Sequence, residues 1–129
     1  MGSKLGTILV VDDVETVLSV TRRLLERLGW DVVTASTGEQ AVLHCQSADQ
    51  LNAVLLDGTL LDLSGEETLL RIRSVSPDLP VVIMTGGDTD EIRLRFREHG
   101  VSDVLQKPFR PTSMENALAP FSTTRAAAG

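Results

Sequence analysis

Along the chain, short uninterrupted apolar runs alternate with longer stretches in which apolar residues return every three or four positions. Thr7-Ile8-Leu9-Val10-Val11 is the first such run, and with no polar residue breaking it, it predicts a strand covered on both faces. Val14, Val17, Leu18, Thr21, Leu24, Leu25 and Leu28 then recur at helical spacing, and Gly29 stands where a helix end takes a left-handed residue. Asp31 to Ala35 reads as a second, weaker strand. Thr37-Gly38-Glu39-Gln40 has the form of a capping box and opens a helix through Ser47. Ala53 to Asp57 is a third strand, and Ser64-Gly65-Glu66-Glu67 a second capping box leading into Leu69, Leu70 and Ile72, with Pro77 and Pro80 closing the segment. Val81 to Thr85 is the fourth strand, Gly86-Gly87 a loop, and Thr89 to His99 a fourth helix ending at Gly100. Asp103 to Gln106 is a short fifth strand. Pro111 at a first helical position, with a capping box from Thr112 to Glu115, starts a last helix that Pro120 limits.

Strand and helix alternate five times without a repeat or a linker. Parallel strands need crossover connections, so the pattern predicts an α/β fold, a five-stranded parallel sheet with five helices on its two faces. In such sheets ligands bind at the carboxyl ends of the strands. A length of 129 residues suits one domain, expected over residues 5–121. Residues 1–4, beginning Met1-Gly2-Ser3, read as a remnant of cloning, and residues 122–129 as a frayed Ala-rich tail. No apolar run approaches the roughly 20 residues that span a bilayer, and the N-terminus lacks a signal-peptide core. A cytoplasmic protein without membrane contact through this domain is expected. A net charge of −6 argues against direct nucleic-acid binding through phosphate contacts. The single Cys45 offers neither an internal disulfide nor a Cys-rich metal framework.

Chemistry gathers at the predicted strand ends. The first strand ends in Asp12-Asp13, the third in Asp57, the fourth in Thr85, and the fifth runs into Lys107-Pro108. Carboxylates about 4 Å apart repel by roughly 4 kcal/mol per pair at an effective dielectric near 20, so three of them require protons or a cation. Oxygen ligands without His or Cys favour Mg²⁺, which takes one or two carboxylates together with phosphate oxygens and water. A carboxylate beside such an ion can act as the nucleophile in phosphoryl transfer, and an amine and a hydroxyl can hold the transferred group.

In these residues the chain resembles the receiver domains of response regulators. The matching features are Asp12-Asp13 after Ile8-Leu9-Val10-Val11, Asp57 after Val54-Leu55-Leu56, Gly65 eight positions on, Thr85-Gly86, and Lys107-Pro108-Phe109. The resemblance covers nearly the whole chain and implies the flavodoxin-like, doubly wound sheet order 2-1-3-4-5. It implies Asp57 as phosphoacceptor, with Asp12, Asp13, Asp57 and the backbone carbonyl of Thr59 holding Mg²⁺. Thr85 and Lys107 would sense the phosphate, and small Gly86 would leave room for it. The implied partner is a histidine kinase or histidine phosphotransfer protein, with the helix 4–strand 5–helix 5 face as a candidate homodimer surface. The isolated domain is expected to be a phosphorylated switch, not an enzyme. Gly65-Glu66-Glu67-Thr68-Leu69 and Leu105 to Pro111 also resemble receivers attached to hybrid histidine kinases, a reading that stands beside a freestanding receiver.

Two positions depart from the family pattern. Leu61 stands where a Pro usually follows the phosphoacceptor, and Val104 occupies the switch position usually held by an aromatic ring. With no Tyr in the chain and Val104 at that place, the usual aromatic–hydroxyl coupling cannot operate in that form. A pseudo-receiver that binds without being phosphorylated is the alternative these departures support. Asp57-Gly58-Thr59-Leu60 also resembles a haloacid-dehalogenase-type phosphatase motif, but Leu55 occupies its nucleophile position. Simpler roles are expected elsewhere. Asp12 or Asp13 would cap the first helix. His44 and Cys45 would be ordinary helix residues, His99 would sit in a last helical turn, and Trp30 and Phe109 would serve packing. Arg71, Arg73, Arg93, Arg95 and Arg97 would be solvated.

Overall fold

The apolar runs form strands because β-branched and aliphatic residues suit a pleated surface buried on both sides. The strands are β1 (Gly6–Val11), β2 (Trp30–Ala35), β3 (Ala53–Asp57), β4 (Val81–Thr85) and β5 (Asp103–Gln106). They alternate with α1 (Glu15–Leu28), α2 (Gly38–Ser47), α3 (Gly65–Val75), α4 (Thr89–Phe96) and α5 (Pro111–Leu118). The computed structural model describes residues 5–47, 50–58 and 64–123. All pairings are parallel, in the order β2-β1-β3-β4-β5, which is the doubly wound arrangement expected.

Alternation along each strand sorts the core into two layers. Leu9, Val11, Val54, Leu56, Val81, Ile83 and Val104 face one way and pack with Ala41, Cys45, Leu69, Ile72, Ile92 and Phe96 of α2, α3 and α4. Ile8, Val10, Ala53, Leu55, Val82, Met84 and Leu105 face the other way, against Leu18 and Leu25 of α1 and Met114, Ala117 and Leu118 of α5. Trp30 is buried in this second layer, and Phe109 packs against it, as expected for both.

Several ends differ from the sequence expectation. β2 begins at Trp30, one residue early, because the ladder to β1 already pairs Gly6 with Trp30. Gly29 does close α1 in the left-handed region, at φ 107°, and its N–H bonds back to the carbonyls of Glu26 and Leu25. The box at α2 forms by half: Thr37 Oγ1 accepts from Gln40 N at 3.1 Å as expected, but Gln40 Oε1 accepts from the N–H of Ser36 at 2.9 Å and not from that of Thr37. Ser64 caps α3 through Glu67 N at 3.0 Å, while the Glu67 side chain turns to Arg71 at 3.0 Å and does not close the box. The fourth helix stops at Phe96 and tightens into a 3-10 turn over Arg97–His99. Pro111 does occupy the first turn of α5, but the cap is Arg110, which makes no side-chain cap bond, so the expected box from Thr112 does not form. Among the residues expected to fray, Thr123 is tied to β1's approach, its N and Oγ1 each 2.8 Å from the carbonyl of Leu5.

Arg73 is not solvated. Its guanidinium donates to the carbonyls of Leu79, His99 (3.4 Å) and Gly100 (3.1 Å), stitching the end of α3 to the start of β4 and to the turn after α4. Loss of water at this position lowers its pKa, and nearby Asp78 partly offsets that. Arg93 and Arg95 are also engaged, with Asp103 at 3.1 Å and Glu66 at 3.0 Å, and Arg95 lies over the Phe96 ring. These exposed pairs contribute little individually.

Candidate functional site

Register brings the strand ends to one edge. Val11 lies beside Leu56, Asp57 beside Met84, and Thr85 beside Gln106. The residue after β1, the last of β3, the last of β4 and the residue after β5 therefore surround one crevice. Asp12, Asp13 and Asp57 each bring a carboxylate oxygen to it, and these oxygens lie within 4.8 Å of one another. Asp12 is fully buried, Asp57 and Thr85 nearly so, and Asp13 is half-buried.

Both oxygens of Asp12 are engaged. Oδ1 accepts from Val14 N at 3.0 Å, a local turn that leads into α1 while Val14 itself stands at the cap position without a side-chain bond. Oδ2 accepts from Lys107 Nζ at 2.6 Å, and the same ammonium lies 3.7 Å from Asp57 Oδ1. Lys107 thus bridges acids from β1 and β3, and it partly offsets a charge cluster that burial makes costly. The sequence-based grouping of Asp12, Asp13, Asp57 and Lys107 is one place in the fold.

Thr85 stands at the same edge, where its Oγ1 accepts from Gly87 N at 3.0 Å. A β-carbon on Gly86 would meet nothing within 4 Å among the described residues, so the space beside Thr85 is open. Thr59, and Leu61 two positions on, lie outside the described residues. Val104 is buried in the layer under α4, beside a recess of about 280 Å³ lined by Arg93, Phe96, Val101 and Asp103.

Two further residues shape the site: Gly65, which the sequence marks as a family feature without a role, and Gln106, which it does not mark. A β-carbon on Gly65 would sit 2.8 Å from the carbonyl oxygen of Gly58 and 3.1 Å from its Cα. Gly65 therefore lets α3 begin directly against the backbone that follows Asp57. Gln106, an ordinary exposed strand residue by sequence, reaches the carbonyl of Gly87 through Nε2 at 3.1 Å. His44 and Cys45 do lie in α2, away from this edge, and burial pushes the Cys45 thiol up to about 11.

Three hard carboxylate oxygens beside a partly buried amine fit a magnesium ion better than a softer metal. Among the described residues no helix is long and apolar enough to cross a membrane.

Comparison with known proteins agrees with this geometry. The family model described as response regulator receiver domain matches residues 8–119. The alkaline phosphatase synthesis transcriptional regulatory protein PhoP of Bacillus subtilis is 35% identical over 104 residues, covering 81% of this chain and 43% of that protein. The chain thus spans less than half the length of this curated relative. A response regulator receiver domain from Clostridium thermocellum superposes with a TM-score of 0.85 at 26% identity, over 97% of this chain and all of the other. The receiver domain of a sensor histidine kinase from Pseudomonas aeruginosa, with a magnesium ion in its active site cleft, gives 0.81 at 25% identity, over 93% and 98%. On sequence, fold and strand order together, the chain belongs to the response regulator receiver domain family of two-component signalling.

Proposed function

We propose that this domain accepts a phosphoryl group on Asp57, using Mg²⁺ held by Asp12, Asp13 and Asp57, and that Lys107 and Thr85 read the result. The carrying observation is the convergence of three carboxylates with one shared ammonium at the carboxyl edge of the sheet. The Thr59 carbonyl joins this reading through family resemblance alone.

A carboxylate oxygen of Asp57 attacks the phosphorus of a phosphohistidine, the P–N bond breaks, and the imidazole leaves with its bonding pair and takes up a proton. The ion, when bound, neutralises charge on the transferring oxygens. Lys107 is already between Asp12 and Asp57 and needs only a short swing to pair with the new phosphate. The Thr85 hydroxyl, at the next strand end, donates to it, and the open side of Gly86 admits the group. A histidine kinase or phosphotransfer protein would approach over the apolar recess of Thr16, Val17, Val20 and Phe109 that opens beside Lys107.

Val104 has no ring or hydroxyl to follow Thr85, so the readout differs from that of receivers with an aromatic at this position. The same residue motivates the second reading, a pseudo-receiver that keeps the crevice but is never phosphorylated. Location in the cytoplasm and pairing through the α4–β5–α5 face are further parts of the proposal, with a receiver of a hybrid kinase and a freestanding receiver as its two alternative settings. So is the absence of direct nucleic-acid contact by the domain itself.

Incubation with acetyl phosphate and Mg²⁺, followed by intact mass measurement, tests the reading. One added phosphoryl group in wild type, lost in Asp57→Asn and without Mg²⁺, is expected. No addition to wild type favours the pseudo-receiver, and addition that survives Asp57→Asn assigns the acceptor elsewhere.

A further inference from the structure

We propose that Gln106 is a positioning residue that couples the Thr85 hydroxyl to the loop between β4 and α4 through the backbone of Gly87. The proposal rests on the reading that Thr85 meets the phosphoryl group.

Both peptide groups of Gly87 are in use. Its N–H donates to Thr85 Oγ1 at 3.0 Å, and its carbonyl accepts from Gln106 Nε2 at 3.1 Å. The strands beneath are locked in register, Thr85 beside Gln106, with Lys107 N donating to the Thr85 carbonyl at 2.6 Å. Gln106 and Thr85 therefore hold Gly87 from two sides while sharing one rigid base. Asp88, the next residue, caps α4 through Asp90 N at 2.9 Å, so the held loop sets where that helix begins.

Nothing else on β5 can make this link. Val104 and Leu105 are aliphatic and buried, with no hydrogen-bonding atom in their side chains, and the Asp103 carboxylate can only accept and already receives Arg93 and the N–H of Val104. Gly86 and Gly87 lack side chains that would fix the loop by packing, so hydrogen bonds do it. Oγ1 of Thr85 accepts from Gly87 while keeping its own proton to donate. A hydroxyl fixed by Gly87 is pre-aimed, and by reciprocity a phosphate that fixes the hydroxyl stabilises the Gln106-held loop. Signal then reaches the start of α4 by a polar route on the outside of β5.

The test uses beryllofluoride with Mg²⁺ as the phosphoryl mimic, titrated into wild type, Gln106→Met, Thr85→Ala and the double variant. Amide resonances of Gly86 and Gly87 report the loop, and far-ultraviolet dichroism checks folding. Gln106→Met keeps the length and removes the donor. It should weaken apparent beryllofluoride binding by roughly three- to ten-fold, the scale of one neutral hydrogen bond. In the Thr85→Ala background the same change should have no further effect, and the Gly87 resonance shift seen in wild type should be lost in both single variants. Equal losses in the two backgrounds, or a Gly87 shift unchanged in Gln106→Met, would overturn the coupling alone. A wild type that takes up no beryllofluoride would remove the phosphoacceptor reading and the coupling together.

Discussion

Replacing Lys107 with Met removes the ammonium and keeps most of the apolar stem, so the loss isolates charge. Nζ lies 2.6 Å from Asp12 Oδ2 and 3.7 Å from Asp57 Oδ1. At an effective dielectric near 20 these attractions are each about 4–6 kcal/mol, and desolvation offsets much of them. Stripping one partner from a buried pair costs about 3–5 kcal/mol. The Lys107 side chain is 20% exposed while that of Asp12 is fully buried, so the lower end, about 3 kcal/mol, applies. Urea unfolding without divalent cation should show the midpoint falling by about 1–2 M. Saturating Mg²⁺ should return more than half of the loss, because the ion neutralises the same carboxylates and stabilises by mass action. An equal deficit with and without Mg²⁺, or no deficit in its absence, would refute the idea that Lys107 holds a cation's place among the three acids.

Other expectations follow from particular contacts. Gly65→Ala, normally favourable in a helix by about 1 kcal/mol, should here lower the melting temperature by about 4–12 °C, because its β-carbon would overlap the Gly58 backbone; an unchanged or higher value contradicts the close approach. Arg73→Gln leaves carbonyls of Leu79, His99 and Gly100 without their donor and should cost about 1–3 kcal/mol, with hydrogen exchange faster at the start of β4 and around Gly100; protection unchanged at both places would count against the stitch. Burial raises the Cys45 pKa from 9.0 to about 11, so at pH 8 its thiolate fraction is roughly 100-fold below that of the unfolded chain. Its reaction with a disulfide reagent should be slow in the folded protein and fast in denaturant. The same shift removes stability as pH rises from about 9 through 11, since the folded state holds the proton longer; Cys45→Ala should flatten that part of the curve.

Elements with one dominant signal were legible in the sequence. Three uninterrupted apolar runs and two shorter, mixed ones made five strands; in the fold, alternation along them separates Leu9, Val11, Val54 and Leu56 from Ile8, Val10, Ala53 and Leu55. Periodicity does not order strands in space, so the 2-1-3-4-5 order came through family resemblance. Asp12, Asp13, Asp57, Thr85 and Lys107 were legible because parallel strands share a carboxyl edge. Gly29 and Ser64 did mark the ends they were expected to mark, but other helix ends were not legible: Ile92 and Phe96 are the buried anchors of α4, and no apolar residue in Arg97-Glu98-His99 holds the helical period. Pro111 moved the cap of α5 to Arg110 and left the Thr112 box unused. Arg73 sits beside a buried helix position, but its acceptors are carbonyls from two distant segments, which no local pattern announces. Gly65 looked like part of a helix start, and only the packed backbone of Gly58 shows why its lack of a side chain is needed. The Gln106 bond to Gly87 is hidden for the same reason, being made to a main-chain atom on a neighbouring strand's loop.

A crystal structure grown with Mg²⁺ and beryllofluoride tests the central claim most directly. The expected result is one ion about 2.1 Å from oxygens of Asp13 and Asp57 and held by Asp12 directly or through water, with beryllium bonded to an Asp57 oxygen, Lys107 Nζ turned from Asp12 toward its fluorines, and Thr85 Oγ1 within hydrogen-bond reach of them. An ion bound away from these acids, or beryllofluoride on any other carboxylate, would contradict it.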